Sequence, residues 1–578
     1  MSARCSKSRL QSRLLLVNQG DAYFGNAIEC HLRAKKGEGS RPQRHQALCS
    51  YHFCRPGAFS SLAGDVFVHH HSSCHKTHTA WSRLGSVVGL RLGPIPLVMV
   101  TDAELARTVL DEPKSSAYTD LQAIYSNNKA SLFTNRHDSP STSQYYKAIR
   151  RQIAPAFNTS NLKQSFGRLA ALMDSAVDYI HHKGSGQSVD IFTIAGRVTM
   201  NAISLAIFGE DLKGNEGNWE VRPEYACIFE PAMKWVLDVA AVAWIRNLTF
   251  IPAVRQKESE LKQLQQEHVK MLKQLRACNP LPASLGGHLL ALTDPATGQP
   301  LTDGQLEAEM ATFFFAGYDT STSAITWTLA LIAAHPEVQQ QVASELAALG
   351  LLATPNQPSP KPLTWQALSN LDYLRKVIKE SQRLQTVAAT GSMRTLSKSM
   401  RLGGYELAEG TMVHVPFYPI HHHPDAWDRP EDFLPERFDD AGADFLPLNR
   451  LAAADRPDAQ PLPQSTQSRT AEDGDLHGGS LFQESSNSHS QKDTAGRPSQ
   501  VRRFLPFSYG HRSCVGQNLA NMTMLTFIAA ICANFGLALD PQMGGLEGLK
   551  ECGAVALTLQ PKSAMLLQCT PRKHAAAS

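Results

Sequence analysis

The sequence predicts a mainly α-helical domain with small β-sheets, an α+β fold, and three observations support this prediction. Helical periodicity dominates residues 160–350. Within that region, residues 303–334 read as one long helix. Short stretches typical of β-strands, with turn residues between them, occur before and after it at 87–100, 399–415 and 553–570. The strands are too few and too short to form a large sheet, so the helices must build most of the core.

Composition and charge narrow the class of protein. The chain has 578 residues, a formal net charge of +4 and 11 cysteines. Residues 1–80 hold eleven Lys and Arg against four Asp and Glu, which leaves the remainder near −3 (4 − 7). Five cysteines lie in that segment and the other six are scattered, which favours a reducing compartment over a disulfide framework. No basic stripe with interleaved aromatic residues occurs in the body of the chain, so we expect no nucleic-acid partner.

Residues 1–80 read as an atypical leader, either disordered or targeting. The first twenty residues hold four Lys or Arg and four Ser without one acid, which is typical of an organelle transit peptide. A mispredicted first exon would give the same pattern, and both interpretations stay open. The Cys and His residues crowded at 49–78 allow a zinc site, but their spacings match no standard pattern, which favours an unstructured leader. No run of about eighteen apolar residues occurs, so the sequence predicts no transmembrane anchor.

The first elements of the domain follow from local signals. Residues 87–100 read as two strands around a Gly-Pro turn, and Asp102 then opens a helix. Thr302 and Gln305 have the spacing of a capping box, and helical sequence continues from there to Ala334. At 1.5 Å for each of about 32 residues, this helix would be roughly 48 Å long and would cross the whole domain.

The middle of this long helix carries polar chemistry, in the sequence Ala316-Gly317-Tyr318-Asp319-Thr320. Hydroxyl side chains compete for backbone carbonyls, so we expect Gly317 and the hydroxyls at 320–322 to let the helix open locally. Asp319 and Thr320 place an acid beside an alcohol. Taken alone, the two residues are most simply a helix N-cap or a solvated Asp-Thr pair.

Two further motifs combine acids, bases and histidines. In Glu380-Ser381-Gln382-Arg383, the acid and the base lie three residues apart on one helical face. The run of histidines at 421–423 leads into Pro435-Glu436-Arg437-Phe438. Sequence neighbours cannot converge easily on one metal ion, so we expect these histidines to form a solvent-facing turn.

A low-complexity segment separates these motifs from the C-terminal region. Residues at about 456–500 are rich in Ser, Gln, Pro, Gly and Asp, and Phe482 is the only aromatic residue. Such a segment cannot bury enough apolar surface to offset the entropy of ordering it. The sequence therefore predicts a disordered surface insertion there.

The most informative motif is the run from Phe507 to Gly516, which contains a single cysteine, Cys514. Thiolates bind metals, and a helix N-terminus or a nearby cation lowers the pKa of a thiol. Helical sequence follows from Val515, which would put Cys514 at the positive end of a helix. Gly510 permits a tight bend, and Gly516 permits the close approach of a large flat ligand. The guanidinium of Arg512 provides a fork of donors suited to a carboxylate.

At every fixed position this motif resembles the haem-binding loop of the cytochromes P-450. The resemblance implies the cytochrome P-450 fold, with residues 81–575 as a single helix-rich domain that holds haem between the long central helix and the Cys-ligand loop. It makes Cys514 the axial iron ligand and places Phe507, Gly510, Gly516 and Ala316 around the haem. The segment at 316–320 resembles the family's oxygen-activation motif, in which Asp319 and Thr320 would be the catalytic residues that deliver protons.

The resemblance also assigns the remaining motifs. Glu380, Arg383 and Arg437 are similar to a structural set that locks the core beside the haem. Four further residues match positions that hold the haem propionates, with tyrosine where the family normally has tryptophan: Arg150, Arg394, Arg512 and Tyr146.

The implied activity is that of a haem-thiolate monooxygenase, which inserts one oxygen atom of O2 into a small lipophilic substrate. It requires haem b (iron protoporphyrin IX) and electrons from NADPH. Those electrons would arrive through a cytochrome reductase or a ferredoxin-type protein, since no flavin or iron–sulfur motif is fused to the chain. Residues 232–253 are apolar enough for peripheral membrane contact, although core packing explains them equally. We expect the endoplasmic reticulum membrane surface or a plastid as the location.

Two alternatives remain at this point. A haem-thiolate isomerase or dehydratase commonly lacks the alcohol at the position of Thr320, so the threonine argues against that class. A non-catalytic haem-binding protein would explain the unusual leader and the insertion at 456–500. The intact set of Cys514, Thr320 and Glu380 argues against it.

Overall fold

The computed structural model shows a mainly helical fold with small sheets, as the sequence predicts. The leader at 1–80 and the insertion at about 456–500 lie outside the described residues, as does the candidate zinc site at 49–78. The structure describes residues 85–92, 95–112, 131–132, 140–184, 187–209, 219–238, 245–280, 283–352, 360–439, 503–555 and 558–572.

Helices make up most of the described part of the chain. They are α1 (Ala103–Leu110), α2 (Pro140–Ile153), α3 (Thr159–Lys183), α4 (Ile191–Phe208), α5 (Glu224–Asp238), α6 (Pro252–Cys278), α7 (Leu285–Leu290), α8 (Asp303–Ala334), α9 (Pro336–Ala348), α10 (Trp365–Ser369), α11 (Asp372–Leu384), α12 (Phe417–His421), α13 (Gln517–Asn534) and α14 (Gly545–Glu551). Short 3-10 turns occur at Ala154–Phe157, Pro435–Phe438, Gly510–Arg512 and Pro541–Met543.

The strands form four small sheets. They are β1 (Val87–Leu92), β2 (Ile95–Val100), β3 (Ser188–Asp190), β4 (Ser392–Thr395), β5 (Met400–Leu402), β6 (Tyr405–Leu407), β7 (Met412–Val415), β8 (Phe535–Leu539), β9 (Gly553–Val555), β10 (Leu559–Pro561) and β11 (Leu566–Pro571). The largest sheet has the order β1-β2-β7-β4, in which only β2 and β7 run parallel. A second sheet has the order β3-β11-β8, and two hairpins pair β5 with β6 and β9 with β10.

The central helix α8 organises the core. Its start is the predicted capping box, in which the Thr302 hydroxyl accepts from the Gln305 backbone N–H and the Gln305 side chain accepts from the Thr302 N–H. Most of its residues are buried on all sides, as expected for a helix surrounded by other helices. It packs against α4, α6, α11 and α13. The prediction of a single helix across the domain is therefore confirmed.

The expected local opening of α8 at Gly317 is not seen. The helix runs unbroken from Asp303 to Ala334, and the hydroxyls of Thr320 and Thr322 each donate at 2.6 Å to the carbonyl four residues earlier. These bonds share a carbonyl with an intact helical turn and do not replace it. Gly317 instead permits close packing, because a Cβ at this position would lie 2.9 Å from Cδ1 of Ile203 in α4.

Among the described helices, α4 is long and apolar enough to span a membrane. The criterion of an unbroken run of about eighteen apolar residues missed this helix, because polar residues such as Arg197 and Asn201 interrupt its sequence. In the fold, 83% of its apolar window is buried, and it packs along α8. It is a core helix of the domain.

Candidate functional site

The cysteine motif forms a loop between the 3-10 turn Gly510–Arg512 and helix α13. The loop closes where the backbone N–H of Cys514 donates to the carbonyl of Phe507 at 2.9 Å. Phe507 itself is half-buried against the main hydrophobic core. Helix α13 begins at Gln517, two residues later than the sequence predicts, with Gly516 as its N-cap. The cysteine thus lies just ahead of a helix N-terminus.

Gly510 is the bend of this loop. Its φ of +71° lies in the left-handed region that favours glycine, and a Cβ there would lie 1.8 Å from Oδ1 of Asp111. The same Oδ1 accepts the backbone N–H of His511 at 3.2 Å and contacts the His511 ring Nδ1 at 3.1 Å. The end of α1 therefore holds the loop by a carboxylate that only a glycine at 510 can accommodate.

The pKa of the Cys514 thiol is raised above its ordinary value, because burial disfavours the thiolate. A hydrogen bond from the Gly516 N–H and the charge of Arg150 act in the opposite direction but do not offset burial. Many protein atoms surround the sulfur, although the residue retains accessible surface. The N–H group at the helix start and the nearby cation therefore act in the expected direction, but burial outweighs them in the protein alone. A coordinated metal ion would itself deprotonate the thiol.

Residues of α2 clamp the loop from the other side. Arg150 donates to the carbonyl of Ser513 at 2.6 Å and to its hydroxyl at 3.2 Å. It also donates to the hydroxyl of Tyr146 at 3.2 Å, and that hydroxyl donates in turn to the carbonyl of His511 at 2.8 Å. Arg150 and Tyr146 thus fix the backbone on both sides of Arg512.

Arg512 lies buried over Tyr146, with its guanidinium carbon 3.3 Å from the centre of the ring. Its Nε and Nη1 have no hydrogen-bond partner among the described residues. Burial is the main cause that lowers the pKa of Arg512 to about 10, and the positive charges of Arg394 and Arg150 contribute to the same shift. Three guanidinium groups therefore lie close enough to interact electrostatically beside the cysteine loop.

Arg394 enters this cluster from strand β4. Its side chain is buried, and its Nε donates to the carbonyl of Leu110 at 3.1 Å. Its Nη1 donates to the hydroxyl of Ser392. The structure thus brings together the four residues that the sequence analysis assigned to the propionates.

These residues fit a haem group. The unpartnered donors of Arg512 and the positive charge around them suit the two propionate carboxylates of haem. Gly516 lies beside the thiol, since a Cβ at this position would be in van der Waals contact with Phe157 at 3.8 Å and with the Cys514 sulfur at 4.0 Å. Ala316 of α8 and Val515 of the loop pack against the same apolar cluster.

The acid of the central helix is buried, which excludes a solvated Asp-Thr pair. Oδ2 of Asp319 accepts from the Thr558 hydroxyl at 2.5 Å, and the Gln560 side-chain amide donates to Oδ1. Burial raises the pKa of Asp319 to about 6, and the two hydrogen bonds partly oppose this rise. Thr320 is half-buried and bonds Ala316, so the acid and the alcohol are neighbours with separate partners. Sequence reasoning missed Thr558 and Gln560, which lie 239 and 241 residues from Asp319.

A second buried charge set lies at α11. The Glu380 carboxylate accepts from Arg383 Nε at 2.7 Å, from Arg383 Nη2 at 2.8 Å and from Arg437 Nε at 3.1 Å. The backbone N–H of Leu434 adds a bond at 3.0 Å. Glu380 and Arg383 have no exposed surface. The structure therefore unites the three residues that the sequence analysis grouped, and joins them to the chain at 434–437.

The histidines at 421–423 do not form the expected solvent-facing turn. His421 and His422 are buried, because α12 packs into the core through Phe417 and Ile420. Nε2 of His421 accepts from the backbone N–H of Leu505 at 2.9 Å, so this histidine supports the start of the cysteine loop. Within the described residues, no group of three or more His, Cys, Asp or Glu is arranged to hold a metal ion.

Comparison with known proteins identifies the family to which the chain belongs. The family model described as Cytochrome P450 matches residues 60–452 and 489–567. The chain belongs to the cytochrome P450 family. Its activity is therefore that of a P450 monooxygenase, an oxidoreductase that uses haem and O2 and incorporates oxygen into a small molecule, with electrons from a redox partner.

Several curated P450 enzymes are similar to this one. Human cytochrome P450 3A5 is 27% identical over 65% of this chain and 74% of its own length. Pig (Sus scrofa) cytochrome P450 3A29 is 24% identical over 82% of this chain and 83% of its own. Lithocholate 6-beta-hydroxylase of Mesocricetus auratus is 25% identical over 65% and 74%.

A solved P450 structure shares the fold. The crystal structure of the cytochrome P450DA heme domain matches with a TM-score of 0.64 and 18% sequence identity. The match covers 88% of this chain and 94% of the solved one. The predicted cytochrome P-450 fold is thus confirmed.

Proposed function

We propose that this P450 inserts one oxygen atom of O2 into a C–H bond of a small lipophilic molecule, and that the thiolate of Cys514 would bind the haem iron. Haem, when bound, supplies the activation of dioxygen. Arg150, Arg394 and Arg512 would hold its propionates, with Tyr146 beneath Arg512. The proposal rests chiefly on Arg512, two residues before the cysteine, whose Nε and Nη1 have no hydrogen-bond partner among the residues that the structure describes and could both donate to an anion.

Asp319 and Thr320 would be the proton-handling residues of the reaction. With a pKa of about 6, the buried Asp319 exchanges a proton readily near neutral pH, as a general acid must. The Thr320 hydroxyl keeps its bond to the Ala316 carbonyl and can still accept a proton or a water at its oxygen. Haem-thiolate isomerases and dehydratases commonly lose this alcohol, so its presence favours oxygen activation.

A lipophilic substrate is supported by aromatic side chains that surround the middle of α8. The rings of Phe229 and Phe315 stack with their centres 5.7 Å apart, and Phe157 lies 5.7 Å from Phe313. These two pairs of rings connect α8, next to Ala316, with α5 and with the turn at Ala154–Phe157. The name of one relative, lithocholate 6-beta-hydroxylase, specifies a steroid acid, which agrees with a substrate of this class.

The electron source and the location complete the proposal. We infer a separate reductase or ferredoxin-type donor that delivers electrons from NADPH. The endoplasmic reticulum membrane surface or a plastid would hold the enzyme. Peripheral membrane contact is supported by the apolar side chains of Phe250 and Ile251, which are 77% and 37% exposed before α6.

The test combines a spectrum with a variant. The reduced, carbon monoxide-bound protein should show the strongly red-shifted Soret band of thiolate ligation, and Cys514→Ser should lose it. Thr320→Ala should release peroxide and form several-fold less product per NADPH. Thr326→Ala serves as the control, because the buried Thr326 hydroxyl donates to the Thr322 carbonyl within the same helix. A band typical of histidine-ligated haem would contradict the thiolate assignment. Unchanged coupling in Thr320→Ala would contradict its part in proton delivery.

A further inference from the structure

We propose that Thr558 and Gln560 are positioning residues that hold the Asp319 carboxylate in the orientation needed for proton delivery. This inference rests on the proposed catalytic function of Asp319. It adds two residues from the C-terminal hairpin to a site that the sequence motifs assign to the central helix alone.

The hydrogen bonds occupy both oxygens of the acid from one direction. The Thr558 hydroxyl donates to Oδ2 at 2.5 Å, and the Gln560 amide donates to Oδ1. Gln560 also donates to the Thr558 hydroxyl oxygen at 3.3 Å, which joins the two donors to each other. With each oxygen bound by a different donor, the carboxylate cannot rotate without breaking a bond. The orientation of Asp319 therefore depends on these two side chains.

The hairpin that carries the donors is itself fixed to α8. Thr558 directly precedes β10 and Gln560 lies within it, opposite β9. Leu559 lies between them. Its carbonyl accepts from the indole N–H of Trp327 at 3.0 Å, and the backbone N–H of Leu559 donates to the carbonyl of Val387 at 2.8 Å. Trp327 and Leu559 are fully buried. The donors thus stand on a rigid support, as a positioning group requires.

The charges around Asp319 make its protonation depend on these donors. Burial and the negative charge of Glu230 on α5 both raise the pKa of Asp319, whereas the bonds from Thr558 and Gln560 lower it. The neighbouring Tyr318 also has a raised pKa, chiefly through burial, and Arg222 pairs with Glu230. Loss of the hairpin donors would leave burial and the charge of Glu230, both of which favour the neutral form of Asp319. The donors therefore control both the direction and the charge of this carboxyl group.

The position of Gln560 suggests how the two donors divide the work. Thr558 is 3% exposed, whereas Gln560 is partly exposed at the edge of its hairpin. The amide thus lies between the buried acid and the surface. We expect loss of the threonine hydroxyl to affect orientation most, and loss of the amide to affect exchange with solvent as well.

The test reads the carboxyl group directly, without turnover. Difference infrared spectroscopy of the ferric haem protein, titrated from pH 4 to 9, follows the protonated carboxyl band that Asp319→Asn abolishes. Thr558→Val and Gln560→Leu remove one donor each and keep side-chain size. Removing hydrogen bonds to the charged form should move the midpoint upward by about one pH unit. Thr326 is a buried threonine on the same helix as Asp319, so Thr326→Val should leave the midpoint unchanged. Thr558→Ser keeps a hydroxyl and should give the midpoint of the parent.

Coupling measured on the same variants completes the test. Thr558→Val with Gln560→Leu should raise peroxide release and lower product per NADPH several-fold at unchanged KM, since neither residue is proposed to touch substrate. A midpoint and a coupling ratio that both match the parent would overturn the proposal, as would a shifted midpoint with intact coupling. If Asp319→Asn itself keeps full coupling, the proposed function of Asp319 is what fails. If only Asp319→Asn loses coupling, the acid is catalytic and the positioning proposal is wrong.

Discussion

The guanidinium of Arg512 lies over the ring of Tyr146, with its central carbon 3.3 Å from the ring centre. This contact joins the cysteine loop to α2, and the tyrosine hydroxyl reinforces it with its bond to the His511 carbonyl. A cation above an aromatic face is attracted by the ring quadrupole, more strongly when water is excluded. The pair therefore orients the donors of Arg512 even though two of its nitrogens have no partner among the described residues.

Substitutions at Tyr146 should separate the ring from the hydroxyl. Tyr146→Phe keeps the ring and removes the two hydrogen bonds of the hydroxyl, to the His511 carbonyl and from Arg150, so we expect about 2 kcal/mol of lost stability and nearly full haem content. Tyr146→Ala also removes the ring beneath Arg512 and should lower haem content several-fold. The measurement is haem-to-protein ratio after purification, with thermal unfolding alongside. Equal haem retention in the two variants would argue against the stacking contact.

The buried carboxylate of Glu380 should be the most sensitive charge in the core. Glu380→Ala leaves the guanidinium of Arg383 buried without a counter-charge, a change that typically costs about 3–5 kcal/mol. We expect little folded haem protein, judged by the reduced carbon monoxide spectrum and by circular dichroism. The control is Glu547→Ala, because Glu547 forms an exposed pair with Lys550 that is worth at most about 1 kcal/mol. A stable, haem-loaded Glu380→Ala protein would contradict the structural function of the set.

Local signals explain which parts of the fold the sequence could predict. The capping box at Thr302 and the proline at 336 mark the ends of α8, and both signals depend only on neighbouring residues. The same holds for the hairpin of β1 and β2, whose two strands flank a Gly-Pro turn. The spacing within the cysteine motif located Cys514 and Arg512, because a loop of ten residues needs no distant contacts to be recognised.

The parts that could not be predicted depend on contacts between distant segments. No pattern links Asp319 to Thr558, which lie 239 residues apart. Histidine is common both inside proteins and at their surface, so the burial of His421 could not be read from its type. The raised pKa of Cys514 is the net result of burial against a backbone N–H and a cation, and that balance is set by packing. These differences lie around the site, where long-range contacts fix the chemistry.

Glu309 of α8 should make stability depend on pH. It is fully buried, accepts from the Leu132 N–H at 3.0 Å and from the Tyr145 hydroxyl at 3.2 Å, and burial raises its pKa from 4.5 to about 7. The folded state holds this proton more tightly than the unfolded state does. The contribution of Glu309 to the free energy of unfolding is therefore fully present below pH 4.5 and is lost as the pH rises to about 7. Two to three pKa units amount to roughly 3 kcal/mol.

The variant Glu309→Gln removes this titration. We expect its free energy of unfolding relative to the parent to rise between pH 5 and pH 8, by an amount on the order of 3 kcal/mol. Denaturant unfolding at several pH values measures this difference. Asp319, whose pKa is also raised, titrates in both proteins and cancels in the comparison. Parallel pH profiles for parent and variant would show that Glu309 keeps its charge in the fold.

Gly510→Ala should disrupt the cysteine loop for two reasons that controls can separate. The positive φ of +71° costs about 1 kcal/mol for any other residue, and the new Cβ would displace the Asp111 carboxylate from His511. We expect loss of the red-shifted carbon monoxide band in most of the protein. Gly298→Ala has a similar φ of +68° with nothing within 4 Å of the new Cβ, so it should show the backbone cost alone and keep the band.

A second change at Asp111 tests the steric part of this argument. In Asp111→Ala with Gly510→Ala, the Cβ no longer meets a carboxylate, so more of the thiolate band should return than in Gly510→Ala alone. Asp111→Ala by itself loses the bonds to His511 and should weaken the loop only modestly, since Arg150 still holds the carbonyl of Ser513. If the double variant is no better than Gly510→Ala, backbone strain alone explains the requirement for glycine, and the carboxylate contact is not what selects it.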